Sequence, residues 1–454
     1  ITGKANMAGL LTSQPTFSIT FASPTIDLKT LFARMPPQWI HPQLPGIVEQ
    51  RQLGGTVEIV SATLTGATAP SPQLSLTGDF RIEKGTALIG NDRVPTQDLS
   101  ATISVEPGRI RVGKVTGSYG SLQMTDGKAV VSFLDEGPWM ELDISGNMTA
   151  ADLVKFPTKT IRADRLTSLL AQSREIEGQT HPTFRLVGPL DKPEGITFAG
   201  GEVLAEQVSL VNPSLPQRLT AMHGRILFSQ TGGAQFDQVT ANVGETQLQF
   251  NGMISGGTPS VFQDFVIRAK GSAAQLRQMV SAGTFPDDLL YGMVNAKVQL
   301  SGPSGAPHLR GEIGLNDAKL VLPMVGEKPF GSPASLELDA DVTRGVGLVI
   351  SRMELVVPPL RLPLKGRITL GDQFSIDASL ASGTVSLSSL PEWIYRSGFE
   401  AGNLEVSMDV KGTDAEWRNW RTRGWLALTN GLMSVKGVDG QGEEIYLRLQ
   451  FWKN

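Results

Sequence analysis

Apolar and polar residues alternate with a period of two through almost the whole chain, and this restricts the fold more than any other feature. Leu74 and Leu76, then Phe80 and Ile82, stand two apart. So do Phe184 and Leu186, Ile226 and Phe228, and Val298 and Leu300. Longer runs are Leu336, Leu338, Ala340; Phe374, Ile376, Ala378, Leu380; and Leu404, Val406, Met408, Val410. Successive side chains on a strand point to opposite faces, so the pattern predicts strands with one apolar and one polar face. Gly54-Gly55, Gly90-Asn91-Asp92, Gly108, Gly127, Gly232-Gly233, Gly256-Gly257 and Gly371-Asp372 punctuate the runs and predict hairpin turns. Strands this closely spaced leave no room for helical crossovers, so the sheet is expected to be mostly antiparallel.

Helical periodicity is confined to Ile26–Arg34, Ala150–Phe156 with Arg162–Arg174, Ala273–Ala282 and Leu387–Arg396. Anchored on Leu31, Leu153, Leu276 and Leu390, these points recur at spacings of 122, 123 and 114. The chain therefore reads as repeats of roughly 115–120 residues, each of seven or eight strands plus a short helix, or about thirty strands in all. That period is far above the roughly 20–50 residues of solenoid repeats and propeller blades. The expected division is 1–40, the end of a preceding repeat; 41–160; 161–285, with a helical insertion near 162–174; 286–396; and 397–454, the start of a truncated repeat. The chain opens without Met and closes on LRLQFWKN, so it is read as a segment of a longer protein.

Composition excludes more than it assigns. With no Cys there is no disulfide, thiol nucleophile or Cys-ligated zinc, and four scattered His leave little for a metal site. A formal net charge of −4 gives nucleic acid no electrostatic reason to bind. Walker A, HExxH, GxSxG and strand-to-helix GxGxxG motifs are missing, so neither catalytic residues nor a cofactor are expected. Asp339-Ala340-Asp341 resembles half a calcium loop, but alternation with Leu338 and Ala340 reads as two outward carboxylates on one strand. Gly437–Gly442 reads as a hairpin turn rather than a phosphate cradle.

An apolar strand face must be covered. The helices are too few and too short to cover so many strands, so either two sheets face each other or one sheet curls on itself. Medium aliphatics, 18 Phe and 50 Gly suit a long curled sheet with an incompletely filled interior. Such a surface asks for a ligand, and hydrocarbon chains match it without any specific polar group.

The segment VNAKVQLSGPSGAPHLRGEIGLNDAKLVLP at 294–323 resembles an AsmA-type repeat: strand, Gly, Pro-containing loop, then GxIxLxxAxL. Residues 196–213 and 423–435 are weaker copies, and 359–393 resembles the end of such a unit. In these repeats the chain is similar to the AsmA-like family, of the YhdP/TamB type. The resemblance implies an all-β fold with a few short helices, its long, twisted, mostly antiparallel sheet curled into an open U-shaped groove. It also implies a periplasmic, non-enzymatic lipid carrier of Gram-negative bacteria, anchored in the inner membrane by a segment outside this chain. The expected partners are phospholipids or other acyl lipids, and membranes at the ends of the full-length protein. The candidate groove residues are the sixteen apolar positions Leu74, Leu76, Phe80, Ile82, Phe184, Leu186, Ile226, Phe228, Val298, Leu300, Leu336, Leu338, Phe374, Ile376, Leu404 and Val406. A second reading is a structural or adhesive array of β-sandwich domains without lipid. A third, a carbohydrate-active β enzyme, suits 6% aromatics poorly.

One local anomaly stands apart. Trp417, Arg418, Trp420, Arg421, Arg423 and Trp425 fall within nine residues. Trp and Arg are favoured at membrane interfaces, so Trp417, Arg418, Trp420, Arg421 and Trp425 are candidate headgroup contacts. The competing reading is a loop and edge strand whose aromatics pack on the neighbouring sheet.

Overall fold

The alternation folds as written. A computed structural model describes residues 2–9, 15–34, 44–67, 74–89, 94–155, 172–192, 195–213, 215–280, 290–322, 326–343, 347–369, 374–381, 383–394, 399–413, 419–433 and 442–453. It is 76% strand and 7% helix, with 26 strands in one antiparallel sheet that is not closed into a barrel. The chain divides into two compact units: Ile1–Ala171 with Ile176–Val208 and Arg225–Gly232, and Gln172–Glu175 with Ser209–Gly224 and Gly233–Asn454.

The first unit carries β1 (Thr2–Ala8), β2 (Thr16–Asp27), β3 (Gly54–Ala67), β4 (Leu74–Ile89), β5 (Val94–Glu106), β6 (Arg109–Tyr119), β7 (Leu122–Leu134), β8 (Gly137–Thr149) and nearly all of β9 (Arg174–Pro189). Each of these pairs with the next. Most of β10 (Thr197–Val211) follows there, and β11 (Leu219–Ser229) contributes to both units.

The second unit carries β12 (Ala234–Val243), β13 (Thr246–Ile254), β14 (Val261–Ser272), β15 (Leu290–Pro303), β16 (His308–Gly314), β17 (Ala318–Leu322), β18 (Gly326–Lys328), β19 (Ser335–Thr343), β20 (Gly347–Val357), β21 (Leu360–Thr369), β22 (Ser375–Ala381), β23 (Val385–Ser386), β24 (Phe399–Gly412), β25 (Arg421–Met433) and β26 (Gly442–Lys453). Its main ladder runs β12 to β16, then β19 to β22, then β24 to β26. β17 and β18 form a flap paired to the start of β15.

Helices α1 (Leu28–Arg34), α2 (Leu44–Gln50), α3 (Ala150–Lys155) and α4 (Ala273–Val280) are short. Three of them begin where the last residue of a strand caps the first turn. Asp27 Oδ1 accepts the Thr30 amide at 2.8 Å, Thr149 Oγ1 accepts that of Asp152 at 3.1 Å, and Ser272 Oγ accepts that of Gln275 at 3.3 Å. The caps satisfy amides that lack intrahelical partners. At the fourth expected position the helix does not form. Ser386 makes no side-chain cap, and a single 3₁₀ turn at Leu387–Ser389 precedes Pro391, which cannot continue an α-helix. Helix α2 is not foreshadowed by the periodicity, since Pro45 and Gly46 obscure it. Of the expected stretch 162–174, residues up to 171 lie outside the described ones, and Arg174 opens β9.

Between successive helices the described chain places six ladder strands, not seven or eight: β3–β8 before α3 and β9–β14 before α4. Gly108 does sit in a tight turn, with φ +71° between paired Glu106 and Arg109. Gly127 does not. It lies inside β7, where an added Cβ would stand 2.9 Å from the Val115 Cβ, so it marks close packing.

The ladder is broken by β-bulges at which a non-glycine residue adopts φ near +50°, including Lys84, Asp98, Gln238 and Asp264. A glycine lies across from such residues on the adjacent strand. At Gly117 (φ +131°) an added Cβ would meet the Gln97 and Asp98 carbonyl oxygens at 2.8 and 2.9 Å. Gly178 (φ +106°) would meet the Gln207 oxygen at 2.6 Å. Bulges bend a strand and raise its twist, so these pairs are built-in curvature.

Candidate functional site

The antiparallel registers stack the apolar residues of successive strands into transverse rows. In the first unit, Ile59, Phe80, Ile103, Val112, Ala129, Leu142 and Leu186 lie opposite one another from β3 to β9. Towards β9 this face is closed by its own side chains. Leu122, Met124, Met140, Leu142, Ile144, Phe184, Leu186, Ile196 and Phe198 form one buried cluster, with Phe184 edge-on to Phe198. The interior expected to be incompletely filled is therefore packed here.

In the second unit, Val239, Phe250, Ile267, Val298, Gly311, Leu338, Met353, Leu364, Leu380, Met408 and Gly424 form a row across eleven ladder strands. Val239 is buried, and every member from Phe250 to Gly424 is half-buried. At about 4.8 Å per strand the row is about 50 Å long. A parallel row of Ala241, Leu248, Ala269, Ala296, Ile313, Leu336, Leu355 and Leu362 runs beside it. On the other side run Phe265, Leu300, Leu309, Ala340, Ile350, Gly366, Ala378 and Val410.

The opposite face is polar and laced across strands. Arg81 pairs with Glu58 at 2.8 Å, Arg185 with Glu141 at 3.0 Å and Lys411 with Asp377 at 3.0 Å. Asp339 and Asp341 both point to this face, where His308 Nδ1 lies 2.9 Å from Asp341 and Arg310 pairs with Asp339 at 3.3 Å. Glu354, almost buried, is gripped by Arg352 and Arg361. The hydrogen bond from Arg352 holds its carboxyl below the usual carboxylate value, and Arg361 adds to this while burial opposes it.

The sixteen predicted positions divide between closed and open stretches. Leu74, Leu76, Phe80 and Ile82 are half-buried on one face of β4, the last two opposite Ile59 and Val57. Phe184 and Leu186 lie in the closed cluster and Phe228 packs against it, while Ile226 is half-buried. Val298 and Leu338 join the eleven-strand row, and Leu300 and Leu336 its neighbours. Phe374 and Ile376 are buried with Ala378 and Val410. Leu404 lies opposite Leu428, and Val406 opposite Leu426. Phe250, Ile267, Met353, Leu364, Leu380 and Met408 also line the open row without having been among the candidates. Phe250 was legible in the alternation Gln247-Leu248-Gln249-Phe250. Met353 was concealed by the register shift between Ile350 and Met353.

The Trp/Arg segment is split between faces. Trp420 stacks on Phe374 with centroids 6.0 Å apart and packs against the apolar cluster there. Arg421 and Trp425 stand on the polar face opposite Lys411 and Ser407, with Arg448 4.8 Å above the Trp425 ring. Trp417 and Arg418 lie outside the described residues.

Among the described residues no helix is long and apolar enough to cross a membrane. Comparison of the chain with protein-family models, with curated proteins and with solved structures finds no match.

Proposed function

We propose that this chain is a segment of a non-enzymatic, bridge-like lipid transfer protein of the AsmA-like, repeating-groove kind. Acyl chains of phospholipids or other acyl lipids would run along the apolar face while headgroups stay in water. The observation that carries the reading is the half-buried row from Phe250 to Gly424. Side chains that are neither packed away nor fully solvated form a track that a hydrocarbon chain can cover further. Burying each CH₂ is worth about 0.8 kcal/mol, so ten methylenes covered on one side only gain about 4 kcal/mol. That is enough to retain a chain and small enough to let it slide. A carrier of this kind in the periplasm, anchored in the inner membrane and serving the outer one, follows from the family resemblance. The sandwich-array reading asks for two facing sheets per unit, whereas each ladder strand here pairs with its neighbours in sequence.

The test places photoreactive residues at Val298, Leu338 and Met353, with Gln299 and Lys365 on the polar face as controls. Purified protein is analysed for covalently captured and co-extracted lipid by mass spectrometry. Capture at the first three positions and not at the controls is expected. Capture at none of them, or equally on both faces, would sink the proposal.

A further inference from the structure

The polar face of the second unit holds a cationic site of its own. A concavity of about 800 Å³ lies over β12–β16, within the size range of small-molecule sites. Its walls include Arg268 and Lys270 of β14 and Lys297 of β15, interleaved with Gln247, Gln249 and Asn295. In the ladder Arg268 stands directly opposite Lys297, and Lys270 lies between Gln247 and Asn295. Like charges directly opposed across strands destabilise a sheet.

Several cations elsewhere on this face have cross-strand carboxylates: Arg310 with Asp339, Arg352 with Glu337, Lys411 with Asp377. Among the described residues, Arg268, Lys270 and Lys297 have no such ion pair. Glu312 lies opposite Lys297 in register, yet the two make no ion pair. The chain as a whole carries a net charge of −4, so this local excess of positive charge is no general property of its surface.

We propose that this concavity binds a phosphate-bearing, hydroxylated ligand. The two cations opposed across the strands, with Lys270 beside them, would share the anion. Arg can meet phosphate oxygens bidentately, and Lys adds a point charge. The flanking amides of Gln247, Gln249 and Asn295 offer donors and acceptors to hydroxyls. A multiply charged anion between two cations that the register sets opposite each other would offset their mutual repulsion. The site lies on the face opposite the apolar rows and does not depend on the lipid-track reading.

The test measures three probes on the whole chain and on the double variant Arg268→Gln, Lys297→Gln. Inorganic phosphate and glucose 6-phosphate are titrated by calorimetry. Flotation uses phosphatidylcholine vesicles with and without phosphatidylglycerol. Binding of at least one phosphate probe is expected, weakened tenfold or more in the double variant and by raised salt. Which probe binds identifies the source as free phosphate, a soluble phosphorylated sugar or a lipid headgroup. Attachment to pure phosphatidylcholine vesicles that the double variant retains reports the apolar face instead. The double variant should melt no lower than the wild type, because it relieves repulsion. Failure of all three phosphate probes, binding unchanged in the double variant, or a lower melting temperature would overturn the proposal.

Discussion

Lys328 closes β18 and is completely buried, yet it meets no carboxylate. Its ammonium donates to three backbone carbonyls: Ala318 at 2.7 Å, Pro329 at 3.0 Å and Asn316 at 3.3 Å. Burial pushes its pKa below the ordinary lysine value, with Asp317 opposing. The side chain thus ties the flap of β17 and β18 to the loops on either side. Lys328→Met keeps an unbranched apolar stem and removes the shared donor; Asn316 keeps the Gly331 amide, while the Ala318 and Pro329 carbonyls lose the ammonium. Each orphaned buried carbonyl costs about 1–3 kcal/mol, offset in part by removal of a desolvated charge. A net loss of about 2–4 kcal/mol follows, or a roughly 30- to 700-fold rise in local opening at 1.4 kcal/mol per decade. The assay is native-state hydrogen exchange. Gly331, whose amide donates to the Asn316 carbonyl, and Ala334, which donates to the Asn316 side chain, should speed up by that factor. Amides shared between β24 and β25 should not change. Lys328→Arg should fail to restore protection, because the larger guanidinium has no open side to expand into. Unchanged exchange at Gly331 and Ala334 in Lys328→Met would refute the reasoning.

Two further outcomes are expected. Gly178→Ala should lower the urea midpoint with an unchanged slope and a loss of at least about 2 kcal/mol, because its Cβ would meet the Gln207 oxygen and Val208 Cα at a left-handed φ; a neutral effect would sink the bulge account. Glu354→Gln should flatten acid destabilisation. The native carboxyl titrates below its unfolded value near 4.5, so its contribution is complete above that pH and is lost as pH falls through the lower folded value. Thermal melts from pH 6 to 3 with the same acid slope in both proteins would contradict this.

Much of the fold was legible because one face of each strand is buried and the side-chain period is two, so Val298, Leu338 and Met408 announced their face directly. The helix starts were legible too, since Thr149 and Asp152 form a capping pair in sequence as in space. What the sequence concealed depends on contacts between distant positions. The closure around Phe184 and Phe198, the stacking of Trp420 on Phe374 and the burial of Lys328 all depend on which segment arrives opposite. Lys328 in particular reads as a solvated charge, because nothing nearby in sequence says that three carbonyls converge on it.

Bulges change the phase of the alternation within single strands. In β12 the apolar positions run Phe236, then Val239, Ala241 and Val243, so the inward phase changes from even to odd numbers. In β14 it changes between Phe262 and Phe265, and in β5 between Thr96 and Leu99. Each change falls at a left-handed residue: Gln238, Asp264 and Asp98. Strict alternation would end one strand at each such point and start another, whereas each of these runs is one of the 26 strands among the described residues. The chain inserts one extra residue, turns it left-handed and resumes pairing with the same face inward. The usable sequence signal is a polar residue at the phase change together with a glycine on the neighbouring strand, as Gly224, Gly252 and Gly117 stand to Gln238, Asp264 and Asp98. Read that way, the glycines that first looked like turn punctuation also mark where the sheet is made to bend.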